Sequence, residues 1–231
     1  MKLKEYVLLE AVMRLKSGLH IGTGEKPGRG EPLFVMKSIL KSNMPYVPGS
    51  SLKGKMRSLL EVTYGKITPP GSPCGCGKCQ ICLLFGSGNS NTTFEPSRLI
   101  FRDSNLTPES SKMIEKLGLE TKPGVSIDRQ TGKAKGGALF PAERVPENAE
   151  FNFEVSCRIF ENDDKDKVKE WLAMGLFLME QDALGGGGTR GSGYIEFNAI
   201  KFDSKDFDKD WRDSCKKIKN ELLDRHQIKS K

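Results

Sequence analysis

From Glu150 to Ile159 the chain alternates without a break. Phe151, Phe153, Val155, Cys157 and Ile159 fall on one parity, and Glu150, Asn152, Glu154, Ser156 and Arg158 on the other. Successive strand side chains point to opposite faces, so this segment demands a sheet with one buried face and one wet face. That is the signature of an antiparallel sheet; a parallel strand, buried on both faces, reads as a continuous apolar run. Residues 3 to 15 repeat the pattern, with Leu9, Ala11, Met13 and Leu15 set against Glu10, Val12 and Arg14. Leu99-Ile100-Phe101 and residues 194 to 202 read as two further strands.

Helical periodicity separates these strands. Leu52, Met56, Leu59 and Leu60 mark a helix that starts at Gly49-Ser50-Ser51 and ends near Tyr64-Gly65. Val168, Trp171, Leu172, Leu176 and Met179 mark an amphipathic helix over 164 to 184, with Gly185 just past its end. Trp211, Cys215, Ile218 and Leu222 mark a last one, before a basic tail. Residues 104 to 118 have room for a short helix. The order strand, helix, strands, helix, strand predicts an α+β fold with a βαββαβ, ferredoxin-like or RRM-like core. The 231 residues are read as one domain with two insertions, a cysteine-rich loop over 66–98 and a long loop or extended hairpin over 121–146. No periodic segment is legible in the first. Loops as long as the second are usually functional.

Lys and Arg number 37 against 30 acidic residues, a net charge of +7, which favours a polyanionic partner. Aromatic residues make up 8% of the chain, so recognition through many stacked bases is less favoured than contact with a phosphate backbone. No run approaches the roughly 18 apolar residues of a membrane span, and the N-terminus carries no secretory apolar core. A cytoplasmic protein with no membrane partner is the expectation.

The helix opening at Gly49 carries its cations where helix electrostatics disfavours them. Lys53, Lys55 and Arg57 lie in the first two turns, whereas the macrodipole favours acids there. A serine hydroxyl is expected to cap this helix, leaving amides free. Free amides with three cations suggest an external anion, most simply a phosphate; the plain alternative is a solvated basic face.

Cys74-x-Cys76-x2-Cys79-x2-Cys82 places four of the six cysteines within nine residues, too close together for a disulfide framework. Four thiolates match the tetrahedral demand of structural zinc, with no open position for a catalytic water. An iron–sulfur cluster also takes four thiolates, but the C-x-C start departs from its common spacings. His20 is a candidate substitute for one ligand. Cys157 and Cys215 lie on apolar faces and read as core.

Gly185-Gly186-Gly187-Gly188-Thr189-Arg190-Gly191-Ser192-Gly193 joins a helix end to a strand start. Without side chains the backbone N–H groups can approach a ligand, and Thr189 and Arg190 add a hydroxyl and a bidentate phosphate donor. It is neither a Walker A loop nor a dinucleotide fingerprint, since the helix precedes the glycines instead of following them. For acid–base chemistry the chain is poor: His20 is the one histidine outside the C-terminal helix. Glu25 and Glu31, beside Lys26 and Arg29, either hold a divalent cation or are solvated.

Taken together, Gly18-Leu19-His20-Ile21-Gly22, Pro48 to Arg57, the clustered cysteines and the closing glycine loop resemble the RAMP superfamily of CRISPR-associated proteins. Within it, the likeness is greatest to the repeated backbone subunit of the type III-A (Csm) effector complex. The resemblance implies a modified RRM-like palm, several copies stacked along a guide crRNA, other type III subunits as neighbours, and a thumb hairpin, here 125–144, that displaces a base of the guide–target duplex. It implies RNA contacts at His20, Ser50, Ser51, Lys53, Lys55, Arg57, Arg129, Gly186, Gly187, Thr189 and Arg190. Many such subunits also cut target RNA with a divalent metal, Mg2+ or Mn2+, and an aspartate in the loop after the His20 turn. This chain departs there. Glu31-Pro32 stands about where an Asp-x-Pro segment is expected, and Glu31 is the nearest acid. The extra methylene matters where reacting groups must sit within fractions of an ångström. A stand-alone RAMP nuclease acting on repeat RNA and a zinc-stapled ribosome-associated protein are the competing readings.

Overall fold

Along the chain the elements are β1 (Leu3–Leu15), β2 (Lys37–Ser38), β3 (Met44–Val47), α1 (Gly49–Thr63), α2 (Gln80–Phe85), β4 (Leu99–Phe101), β5 (Ser104–Asn105) and α3 (Pro108–Leu117). They continue as β6 (Glu120–Ile127), β7 (Ala134–Arg144), β8 (Glu150–Phe160), α4 (Lys165–Gln181), β9 (Ile195–Phe202), β10 (Lys205–Asp206) and α5 (Trp211–Lys229). This computed structural model describes residues 2–24, 32–39, 42–87 and 95–229, the side chains of 136–139 and 223–229 excepted.

The main sheet has the order β10-β9-β1-β8-β4, every neighbouring pair antiparallel. With β1, β4, β8 and β9 as the four core strands, and α1 and α4 as the crossovers, this is the βαββαβ arrangement. The register explains the alternation. Val7, Leu9, Ala11 and Met13 stand opposite Cys157, Val155, Phe153 and Phe151, and Met13 and Leu15 stand opposite Phe197 and Ile195 on the other side. All of these are buried, and the Phe153 and Phe197 rings meet edge to face with centroids 5.0 Å apart.

Helices α1 and α4 cover that face. Leu52, Met56 and Leu60 of α1 are fully buried, and Met56 lies against Gly175, where a Cβ would stand 2.7 Å from its sulfur. α4 is less one-sided than its sequence suggests: every residue from Leu172 to Glu180 is buried, because the sheet, α1 and α5 enclose it. It starts at its cap Asp164 as expected but stops at Gln181, where the Asp182 side chain accepts the Ala183 N–H at 2.6 Å. The apolar face of α5 is also shorter than expected; Trp211 and Cys215 are buried, but Ile218 is 42% exposed.

Two further expectations change. The cysteine-rich stretch holds a helix, α2, whose Ile81, Leu84 and Phe85 belong to the core. Six residues are too few to show a period, so the segment reads as loop. And no serine caps α1: its Gly49 N–H donates to Asp103 Oδ1 at 2.8 Å, while the Ser51 and Leu52 N–H groups go to the Pro48 carbonyl.

The stretch after α3 is the extended hairpin. β6 and β7 form a separate two-stranded sheet, paired from Glu120↔Arg144 to Ile127↔Ala134. At its tip Asp128 accepts the N–H groups of Gln130 and Thr131 at 3.0 and 2.9 Å. These bonds hold the Asp128 carboxyl below its usual range. Among the described residues no helix is long and apolar enough to cross a membrane.

Candidate nucleic-acid interface

The turn after β1 and the glycine loop before β9, more than 160 residues apart in sequence, are laid directly on each other. The Gly186 N–H donates to the His20 carbonyl at 2.8 Å, Gly193 N–H to the Gly18 carbonyl at 3.0 Å, and Tyr194 N–H to Ser17 Oγ at 3.0 Å. The fit leaves no room for side chains. A Cβ on Gly185, whose φ is +75°, would lie 2.3 Å from the His20 oxygen. Gly187 and Gly191 also take left-handed conformations, flanking a single 3-10 turn, Gly188–Arg190. His20 Nδ1 lies 2.7 Å from the Glu143 carbonyl. A carbonyl only accepts, so Nδ1 carries a proton and Nε2 is the atom left for a ligand.

The base of the hairpin buttresses this junction. Glu143 Oε2 accepts the Val35 N–H at 3.1 Å and Oε1 pairs with Lys37 at 3.0 Å. Arg144 bonds Ser192 Oγ at 3.1 Å and Glu120 at 2.5 Å, and Lys122 donates to the Arg190 carbonyl at 3.0 Å. Arg129 lies in the exposed turn at the tip, between β6 and β7 and away from the base.

The cations of α1 do not form one cluster. Lys55 turns towards the glycine loop and pairs with Asp182 at 3.1 Å. Ser50, Lys53 and Arg57, at spacings of three and four, take the other flank. There two cavities of about 300 and 600 Å3 meet at Ser97, between α1 and the edge strand β4. Burial first, then the nearby charges of Arg57 and Arg158, lower the Lys53 pKa. Among the described residues neither Lys53 nor Arg158 has a carboxylate within ion-pair distance, while Glu95 lines the larger cavity. Arg57 differs: its Nε donates to Glu61 at 2.9 Å and its Nη2 to the Cys74 carbonyl at 2.8 Å. The expected phosphate seat at the helix start is taken from within, since Asp103 supplies the anion there.

The four clustered cysteines converge. Their sulfurs all lie within 4.8 Å of one another, the one such group of metal-ligating side chains among the described residues. Cys74···Cys79 and Cys76···Cys82 are each 3.8 Å apart, and the N–H groups of Cys79 and Cys82 point at the sulfurs of Cys76 and Cys79. The set could hold a metal ion. His20 is bound to Glu143 and takes no part in it. Two N–H bonds, from the turn at Lys78 and Cys79, lower the Cys76 thiol to about 6, and burial pushes Cys82 up to about 12.

Comparison with known proteins gives this geometry a family. Residues 12–196 match the sequence model of the RAMP superfamily. The chain belongs to the RAMP superfamily. Among similar RAMP proteins, one from Methanocaldococcus jannaschii is 39% identical over 209 residues, covering 86% of this chain and 81% of its own. Another, from Streptococcus thermophilus, is 33% identical over 210 residues, covering 84% and 88%. Both are named CRISPR system Cms endoribonuclease Csm3. A solved structure, described as the Csm3-Csm4 subcomplex in the type III-A CRISPR-Cas interference complex, aligns with 97% of this chain and 98% of its own. Its TM-score is 0.60 at 30% identity.

Of the RAMP site residues expected from sequence, His20, Gly186, Gly187, Thr189 and Arg190 come together, and Lys55 borders them. Ser50 and Lys53 lie on the far flank of α1, with Ser51 between the two sides. Glu31 lies outside the described residues. Sequence reasoning missed Asp103, Glu143, Arg144 and Arg158, which carry no local signal. Glu61, four residues after Arg57, was visible as a helical ion pair.

Proposed function

We propose that this chain is a backbone subunit of a type III CRISPR ribonucleoprotein, binding guide crRNA and the guide–target duplex in several copies beside other subunits of that complex. The observation that carries this reading is the seating of the glycine loop on the His20 turn, braced by the base of the hairpin. It offers glycine backbone beside an imidazole Nε2, with Thr189 exposed on the same loop, suited to a sugar–phosphate backbone read by shape. Lys53, Lys55 and Arg190 supply phosphate charge, with Ser50 and Ser51 at the helix start, and Arg129 stands on the hairpin that acts as the thumb. The names of the similar proteins support the same assignment.

The cysteine cluster is assigned to structural zinc. Tetrahedral Zn–S bonds of about 2.3 Å put sulfurs about 3.8 Å apart, the separation of the two closest pairs here. Bound there, zinc closes the knuckle and does no chemistry on RNA. A second reading, endoribonucleolytic cleavage of the bound target with Mg2+ or Mn2+, is favoured by the name of the relatives and has Glu31 as its nearest acid.

The chain isolated from its native complex should carry short, uniform, repeat-tagged RNA; a complex purified without such RNA overturns the proposal. Affinity for single-stranded RNA should fall steeply with salt, and Lys53→Ala should lower the slope of log K against log salt by about one charge. Adding Mg2+ or Mn2+ to the assembled complex with labelled target decides the second reading. Regularly spaced products that vanish in Glu31→Ala support it, and intact target refutes it.

A further inference from the structure

Arg57 and Glu61 lie one turn apart on α1, with side chains only 16% and 7% exposed. Glu61 Oε1 accepts two hydrogen bonds, from Arg57 Nε at 2.9 Å and from the Cys74 N–H at 3.0 Å. Arg57 Nη2 then donates to the Cys74 carbonyl at 2.8 Å. Both main-chain polar groups of Cys74 are therefore held by α1, the carbonyl also accepting from Cys82 Sγ at 3.1 Å.

The other end of the knuckle is held differently. Cys79 caps α2, its sulfur accepting the Cys82 N–H, and Ile81, Leu84 and Phe85 bury α2 in the core. Cys79 and Cys82 thus take their positions from hydrophobic packing. Cys74 has no such anchor: the stretch before it is a surface turn closed on itself by Thr68, Gly71 and Ser72. A tetrahedral site needs both halves in register, and groups that orient metal ligands commonly set affinity as strongly as the ligands do. Hydrophobic residues would pack here at no loss, since a buried ion pair seldom adds stability over them. What they cannot do is bind both the N–H and the carbonyl of Cys74.

We propose that the Arg57–Glu61 pair holds Cys74 in register with the other three thiols, making both residues positioning residues of the metal knuckle. Arg57 is thereby spent within the fold, and the guide-facing charge of α1 rests on its lysines. The inference builds on the zinc reading above.

The test compares wild type, Glu61→Gln, Arg57→Lys and, on the exposed side of α3, Lys112→Ala, each purified with zinc. Release to a chelator is followed with a colorimetric zinc indicator. Glu61→Gln keeps its shape but loses the charge, and Arg57→Lys keeps the charge but not the fork. Both should lose zinc about 10- to 100-fold faster than wild type, the range found for groups that orient ligands. Lys112→Ala should match wild type. Melting adds a readout that a general packing role would not give: breaking the buried pair lowers Tm in both states, but the two variants should fall further below wild type with zinc bound than after chelation. Wild-type release rates in both variants overturn the proposal. So does a Tm deficit of the same size with and without zinc, or a variant unfolded with or without Zn2+, since the pair would then serve helix packing alone. A wild-type protein that binds no zinc at all instead sinks the zinc assignment itself.

Discussion

Replacing Gly185 by alanine tests the junction on which the RNA-binding reading rests. The residue's φ of +75° puts it in the left-handed region, which costs an L-residue about 1–2 kcal/mol. The new Cβ would lie 2.3 Å from the His20 oxygen, roughly 1 Å inside contact distance, so one strand of the junction must retreat. The bond from Gly186 N–H to that same oxygen, 2.8 Å long, is the first to break, at about 1 kcal/mol. The sum is about 2–3 kcal/mol. If the free protein bears it, Tm falls by roughly 4–12 °C. If the loop relaxes and RNA must rebuild it, guide affinity falls by about 30- to 150-fold. Thermal melting and filter binding of guide RNA at one fixed salt concentration, read together, recover the whole sum. The salt slope should not change, because no charge is altered. Gly186→Ala is the internal comparison: its Cβ would meet the His20 ring at 3.2 Å, a milder crowding. A Gly185→Ala protein with wild-type Tm and wild-type affinity would refute the seating of the loop on the turn.

Asp103→Ala removes the carboxylate that serves the α1 N-terminus and should cost about 1 kcal/mol in chemical denaturation, with added sulfate recovering part of it. Gly54→Ala, mid-helix with open space around its missing Cβ, should stabilise by about 0.5–1 kcal/mol; if guide affinity nevertheless drops, the RNA backbone passes over that residue. Lys53, lowered by burial and by Arg57 and Arg158, binds phosphate only when protonated, so guide affinity should fall as the pH rises towards the usual lysine range. The fall should be smaller in Lys53→Arg, whose guanidinium stays charged. Burial pushes the Cys157 thiol up to about 12, so folded protein at pH 8 should leave Cys157 unalkylated by iodoacetamide, as read by mass spectrometry.

How much of this was legible in the chain follows from the range of each interaction. Alternation over 3–15 and 150–159 made the central strands readable, because burial on one face is written into every second residue. Periodicity located α1, α4 and α5, and the cysteine spacing marked a cluster that could hold a metal ion, since its four thiols lie within nine residues. Boundaries were less secure: α4 stops at Gln181, where the Asp182 side chain takes the next N–H, and α2 is too short to show a period. The hairpin over 120–144 read only as a loop or hairpin, because paired exposed strands carry little apolar contrast.

By itself, then, the sequence determined the βαββαβ order, the buried face of each strand, the cysteine knuckle and the two motifs that meet at the junction. These depend on local chemistry and on which side chains avoid water. Tertiary structure alone decided what each charge does. It brought Asp103 to the start of α1, Glu143 to His20, and Cys74 to Arg57 and Glu61. It also divided the cations of α1 between its two flanks, leaving Lys53 without a carboxylate partner among the described residues and Arg57 committed within the fold. A charged side chain's partner is set by distance in space, and the sequence around Arg57 reads the same whether that partner is a phosphate or the backbone of a cysteine.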